Sequence, residues 1–146
     1  MKYFVLLSIF VLSACATTPA TTRPSAPTDV MGLIKQSEAS APDGIKGNFR
    51  FSIKASGMEN GTTYLNTELD YRDRRNITLA LLPNTIAAFT EQYGSAPDTY
   101  FVNKNIEVIG EAKRFKTWFS VNGKRTDKYY FQTHINVGSI DQIKVL

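Results

Sequence analysis

Cysteine and histidine are almost missing from this chain, with one of each among 146 residues. The lone thiol, Cys15, excludes a disulfide framework and any cysteine-rich metal site within one chain. The lone imidazole, His134, excludes a multi-histidine metal centre, and a triad built on it would need several long-range coincidences. No apolar run reaches the roughly 20 residues that a bilayer-crossing helix requires. A glycine-rich phosphate loop, a paired-cysteine metal motif and a nucleophile elbow are all absent. Neither sign of charge dominates: 17 basic and 13 acidic residues leave +4, which by itself names no partner. The length leaves room for one ordinary domain and its flanks.

What is present begins with an export signal. Met1-Lys2 precedes an apolar stretch from Tyr3 to Val11, and Leu12-Ser13-Ala14-Cys15 follows. A basic start, a short apolar core and small residues before a cut site mark a secretory signal peptide. Leu12-Ser13-Ala14-Cys15 resembles the lipobox of bacterial lipoproteins. That resemblance implies lipidation at Cys15, cleavage just before it and acylation of the new amino terminus. The bilayer is then a partner through the acylated Cys15, since each buried methylene contributes about 0.8 kcal/mol. Ala16 stands where an aspartate would signal inner-membrane retention, so the resemblance implies an outer-membrane lipoprotein facing the periplasm.

The next stretch is a tether. Prolines 19, 24 and 27 among Thr, Ser and Ala leave no apolar face to bury. Val30 to Ile34 has the apolar side chains for a brief helical turn or a docking segment, and Pro42-Asp43-Gly44 marks a turn. The expected organisation is a signal peptide at 1–14, a lipidated cysteine with a flexible tether at 15–44, and a domain at 45–146.

From Gly47 the apolar period becomes two. Phe49, Phe51, Ile53 and Ala55 predict one inward row, with 56–61 as loop. Leu65, Thr67, Leu69 and Tyr71 predict a second row, and Ile77, Leu79 and Leu81 a third. Pro83-Asn84 ends that strand; Ile86, Phe89 and Tyr93 then recur at helical spacing, and Gly94 is a natural stop. A fourth strand over 106–112 continues extended to Val121, and Asn122-Gly123 is a hairpin turn. Tyr129, Phe131, Thr133, Ile135 and Val137 predict a fifth row, and 140–146 a last extended segment.

Three strands, a helix and two strands is the order of an OB-fold. The run Asn103 to Glu111, with a mid-strand glycine, and the tail Ser139 to Val145 resemble the fourth and fifth strands of bacterial OB modules. The resemblance implies a mainly β domain: a five-stranded OB-fold-like Greek-key barrel with one helix between strands 3 and 4. Another small β-barrel or sandwich with one helix is the alternative.

Two clusters invite chemistry. The hairpin 113–130 carries Lys113, Arg114, Lys116, Lys124, Arg125 and Lys128, interleaved with Phe115, Trp118, Phe119, Tyr129 and Tyr130. Cations follow phosphates while rings stack on bases, so these residue types suit single-stranded nucleic acid or another anionic polymer. Lys113, Lys116, Trp118, Lys124, Arg125, Lys128 and Tyr130 are the candidate ligand-binding residues, with Trp118 expected on the outward face. A solvated hairpin whose lysines guard a strand edge is the competing reading. Glu68, Asp70, Arg72, Asp73, Arg74 and Arg75 form the second cluster. The metal-binding Asp-Gly-Asp-Thr run of the thermonuclease family is missing, so local ion pairing is the simpler expectation and a nuclease the weakest one. Alternation places His134 outward beside Gln132 and Asn136. The expected function is therefore non-enzymatic: a lipid-anchored binding or scaffolding domain without cofactor or metal, whose partner is an envelope protein or an anionic polymer.

Overall fold

The computed structural model describes residues 26–146. The signal peptide, Cys15 and the first part of the tether lie outside the described residues. The elements are α1 (Val30–Ser40), β1 (Ile45–Ser52), β2 (Ala55–Glu59), β3 (Thr62–Asn66), β4 (Ile77–Leu81), α2 (Pro83–Tyr93) and α3 (Pro97–Tyr100). They are followed by β5 (Asn105–Val121), β6 (Lys124–Val137), a 3-10 turn (Ile140–Gln142) and β7 (Ile143–Val145). The strands form one mixed sheet in the order β1-β5-β6-β4-β3-β2, with β7 paired to β5. β4 and β6 run parallel and the other pairs antiparallel. The ladders do not close the sheet into a ring.

Five strands were expected and seven are found, for a local reason. The first expected strand bends at Ile53-Lys54. Ile53 exchanges hydrogen bonds with Lys104 and Asn103, whereas the Lys54 N–H donates to the carbonyl of Asn66. One run of chain thus leaves β5 and takes up β3, so β1 and β2 stand at opposite ends of the sheet. Ser56 to Glu59, expected as loop, belong to strand β2, and the turn is confined to Asn60-Gly61, both at positive φ. The expected helix is α2, which lies between β4 and β5; α1 and α3 had no place in the expected order.

Registry explains the core. Leu65 lies opposite Leu79, Leu79 opposite Ile135, and Ile135 opposite Ala112. All four are fully buried, a row of side chains running across four strands. Phe49, Phe51 and Ile53 join it as the alternation predicted, and so do Ile77 and Leu81. β4 is buried on both faces, with Thr78 and Ala80 covered too. α2 starts at Pro83 and stops at Gly94, whose φ of 65° lets its N–H cap Thr90. Its Phe89 stacks among Tyr93, Tyr100 and Phe101, while Tyr93, which shares the helical spacing, is exposed.

Three further expectations change. The flexible segment does not extend to residue 44, because 30–40 form a helix. Asp29 caps α1 by accepting the Gly32 N–H at 3.0 Å. Leu33 and Ser37 are buried, and the Ser37 and Thr133 hydroxyls lie 3.3 Å apart. This stripe at i and i+4 is short and sits next to a Pro/Thr-rich run, which hid it. The second inward row stops at Thr67, since Leu69 and Tyr71 are exposed. There Asp70 and Asp73 accept the N–H groups of Arg72 and Arg75, folding the chain into turns instead of strand. In β6, Tyr129 and Phe131 are exposed although Thr133, Ile135 and Val137 are buried. β4 pairs with β6 only from Thr133 onward, so nothing covers the earlier residues.

Ion pairing supports the opposite edge. Glu107 is buried near the start of β5, in register with Arg50 on one side and Lys144 on the other. Its carboxylate accepts from Lys144 at 2.7 Å and Arg50 at 2.8 Å, which hold its pKa down at about 2.

Candidate functional site

Beyond Ala112 on β5 and Thr133 on β6, the two strands have only each other for partners. They form a two-stranded arm ending at Asn122-Gly123, whose positive φ values of 50° and 75° are those of the hairpin turn the sequence predicted. The nine residues from Lys113 to Val121 give it a length of roughly 30 Å. A register shift between Trp118 and Ser120 adds local twist near the tip. Strand alternation sorts its side chains onto two faces of different chemistry.

The first face continues the core row outward. Arg114, Lys116 and Trp118 from β5 lie on the same side as Tyr129 and Phe131 from β6. The rings meet edge to face: Trp118 and Tyr129 at 5.4 Å, Tyr129 and Phe131 at 5.5 Å. Cations lie over them. Arg114 sits 3.5 Å from the centre of Phe131 and Arg125 3.7 Å from Trp118. Lys116 reaches both Tyr129 at 3.9 Å and Trp118 at 4.3 Å. Such contacts contribute about 0.5–1 kcal/mol each at exposed sites. Among the described residues, none of these three cations has a carboxylate within ion-pair distance.

The second face overhangs a groove of about 500 Å³ between the arm and the β2–β3 edge. Phe115 stacks on His134 with centroids 4.8 Å apart, and Tyr130 packs on Phe119. Tyr64 and Tyr71 line the groove from the other side, with Asn66, Thr78 and Gln132 among the polar groups. Gln132 fixes the imidazole: its Nε2 donates to the Tyr71 carbonyl at 2.9 Å, which leaves Oε1 to accept from His134 Nε2 at 2.8 Å. Burial pushes the His134 pKa down to about 4, so the ring is neutral near pH 7. Asn76 braces the floor, donating to Asn66 at 3.0 Å and to Thr78 at 2.9 Å. The groove contains rings, amides and hydroxyls, with Glu59 its one charged lining residue.

The candidate residues named from sequence are therefore divided. Lys116, Trp118 and Arg125 come together on the first face. Tyr130 lies on the second. Trp118, expected outward of the Tyr129–Phe131 row, shares that row's face, and it is the row that is uncovered. Lys113 pairs with Glu111 at 3.1 Å, Lys124 lies beside the turn opposite Val121, and Lys128 is exposed on β6. Tyr64, Tyr71, Asn66 and Gln132 were not singled out. The period-two spacing of Tyr130, Gln132 and His134 signalled a shared face, but the β3 wall opposite is set by long-range pairing. The acidic and arginine cluster forms local contacts, with Asp73 to Arg75 at 2.8 Å. Among the described residues no group of His, Cys, Asp and Glu is placed to hold a metal.

No protein-family model and no curated protein matches the chain. Among solved structures it is similar to the aspartyl-tRNA synthetase from Entamoeba histolytica, at 16 % identity and a TM-score of 0.48 over 92 % of this chain and 24 % of that one. It is also similar to a putative aspartyl-tRNA synthetase from Leishmania major Friedlin, at 12 % identity and a TM-score of 0.36 over 90 % and 22 %. The chain spans about a quarter of either protein.

Proposed function

We propose that the chain is a non-enzymatic binding protein of the bacterial envelope, exported by its amino-terminal segment, lipid-anchored through Cys15 and facing the periplasm from the outer membrane. Its domain is an OB-like barrel that presents the groove to a ligand. Counting β1 and β2 as one bent strand supports the OB-like reading: five strands then remain besides β7, with α2 between the third and fourth. In that frame the groove lies against the second and third strands and the loop between the fourth and fifth, where OB domains take oligonucleotides and oligosaccharides.

The observation that carries the choice of ligand is the groove lining. Rings offer stacking faces, amides and hydroxyls offer neutral hydrogen bonds, and no lysine or arginine is among the lining residues. Arg72, 4.7 Å over the Tyr71 ring at the rim, is offset by Glu59 and gives a phosphate backbone little counter-charge to follow, whereas a neutral sugar finds both stacking and polar partners. We therefore favour an oligosaccharide. Calorimetric titration of the full chain with a neutral N-acetylated oligosaccharide, and with a single-stranded oligonucleotide of equal length, tests this. Saccharide binding should weaken about fivefold in Tyr130→Ala, for a lost ring contact of about 1 kcal/mol. It should be unchanged in Lys116→Ala with Lys124→Ala. Binding of the oligonucleotide alone, falling steeply with salt and lost with those two lysines, would replace the saccharide by the anionic polymer that the arm's charge first suggested.

A further inference from the structure

We propose that the ring-and-cation face of the arm docks on the surface of an anionic phospholipid bilayer. This goes beyond the groove and does not depend on what fills it.

Charge gives the first argument. The arm carries Lys113, Arg114, Lys116, Lys124, Arg125 and Lys128 against one carboxylate, Asp127. Lys113 is paired with Glu111, and the cations on the ring face have no acidic partner among the described residues. Basic side chains near an anionic bilayer each strengthen association about fivefold.

The rings decide between a membrane and a nucleic acid. A base stacks on an open ring face. Here Arg114 covers Phe131, Lys116 covers Tyr129, and both Lys116 and Arg125 lie over Trp118. The rings also turn edges, not faces, toward one another. A bilayer interface asks for no open face. Trp and Tyr sit at headgroup level with part of the ring in apolar surroundings, and neighbouring Lys and Arg reach the phosphates from the same depth. Val121, exposed at the tip, adds an aliphatic side chain where the arm would enter first.

The chain enters the domain at Thr28, whose hydroxyl accepts the Arg50 N–H at 2.8 Å, and turns into α1. The first turn of α1 lies beside the root of this face: Met31 and Gly32 share with Phe131 and Thr133 the lining of a cavity of about 470 Å³. The residues from Cys15 to Asp29 span at most roughly 50 Å, and the arm is roughly 30 Å long. A domain tethered at Cys15, as proposed above, therefore keeps this arm within reach of the same bilayer.

Trp118 is the sole tryptophan, so it reports on the arm alone. The full chain is reconstituted with vesicles of phosphatidylcholine, or of phosphatidylcholine with phosphatidylglycerol, each carrying brominated acyl chains. Flotation reads attachment by the amino-terminal segment, and Trp118 emission reads the arm. With phosphatidylglycerol, Trp118 emission should shift to the blue and be quenched by bromine; in neutral vesicles it should stay open to an aqueous quencher. High salt should reverse the effect in the wild type. Arg114→Glu with Lys116→Glu and Arg125→Glu should abolish it, while Arg114→Lys with Arg125→Lys should keep it. Unquenched Trp118 in anionic vesicles overturns the proposal even if the chain floats, and so does equal quenching in both vesicle types. Shielding of Trp118 by a single-stranded oligonucleotide but not by anionic vesicles would assign the face to nucleic acid instead.

Discussion

β5 and β6 each have two halves, and the halves differ in everything except backbone conformation. In the body, Ala112 on β5 and Ile135 on β6 are fully buried between neighbouring strands. A few residues further out, the same two strands expose Phe115, Phe119, Tyr129 and Phe131. Both halves alternate, both are rich in apolar residues, and both make the same ladder hydrogen bonds. What separates them is the number of paired strands: β1 and β4 flank the body half, and among the described residues no further strand pairs with the arm. Stability therefore concentrates in the body half, while the arm keeps its rings and cations exposed.

The comparison breaks if the body tolerates truncation. Leu79→Ala removes a fully buried side chain from the row Leu65–Leu79–Ile135–Ala112 and should destabilise by about 2–5 kcal/mol in denaturant titration. A loss well below that would mean the row can collapse into the gap, and the contrast with the arm would shrink.

His134 sits at the seam, its ring stacked on Phe115 at the root of the arm. As pH falls below about 6.5 the unfolded imidazole gains a proton, whereas the buried one resists until about 4. Unfolding is thus favoured progressively across that window, and stability should drop by up to about 3 kcal/mol between pH 7 and pH 4. His134→Phe, which keeps the stacked ring, should flatten the slope. Glu107 overlaps only the acid end of that window, so the slope between pH 7 and about 5 belongs to His134. The Glu107 contribution is complete above its ordinary value near 4.5 and is lost as pH falls toward about 2.

The smallest effect belongs to the arm. Trp118→Ala should cost about 1 kcal/mol of folding stability, well below Leu79→Ala, because only Tyr129, Lys116 and Arg125 touch its ring and no third element covers it. Unfolding of this variant near the wild-type midpoint would sharpen the division between the halves. A loss of the size expected at Leu79 would make the ladder of rings and cations part of the core.

The local events were legible in short runs of residues. Asn122-Gly123 takes positive φ and closes a hairpin, Gly94 ends α2, and Phe49, Phe51 and Ile53 line one side of a strand, because these choices depend on backbone sterics and period over a few residues. Tertiary structure alone decided where a strand bends, as at Ile53-Lys54, and whether an apolar row has a cover. Leu69, Tyr129 and Phe131 obey the same alternation as Leu65 and Ile135 yet are exposed. Period two says only that side chains share a face; whether that face is core or surface depends on which distant strand pairs alongside. The division of the arm's cations and rings into a charged face and a neutral groove follows from that pairing as well.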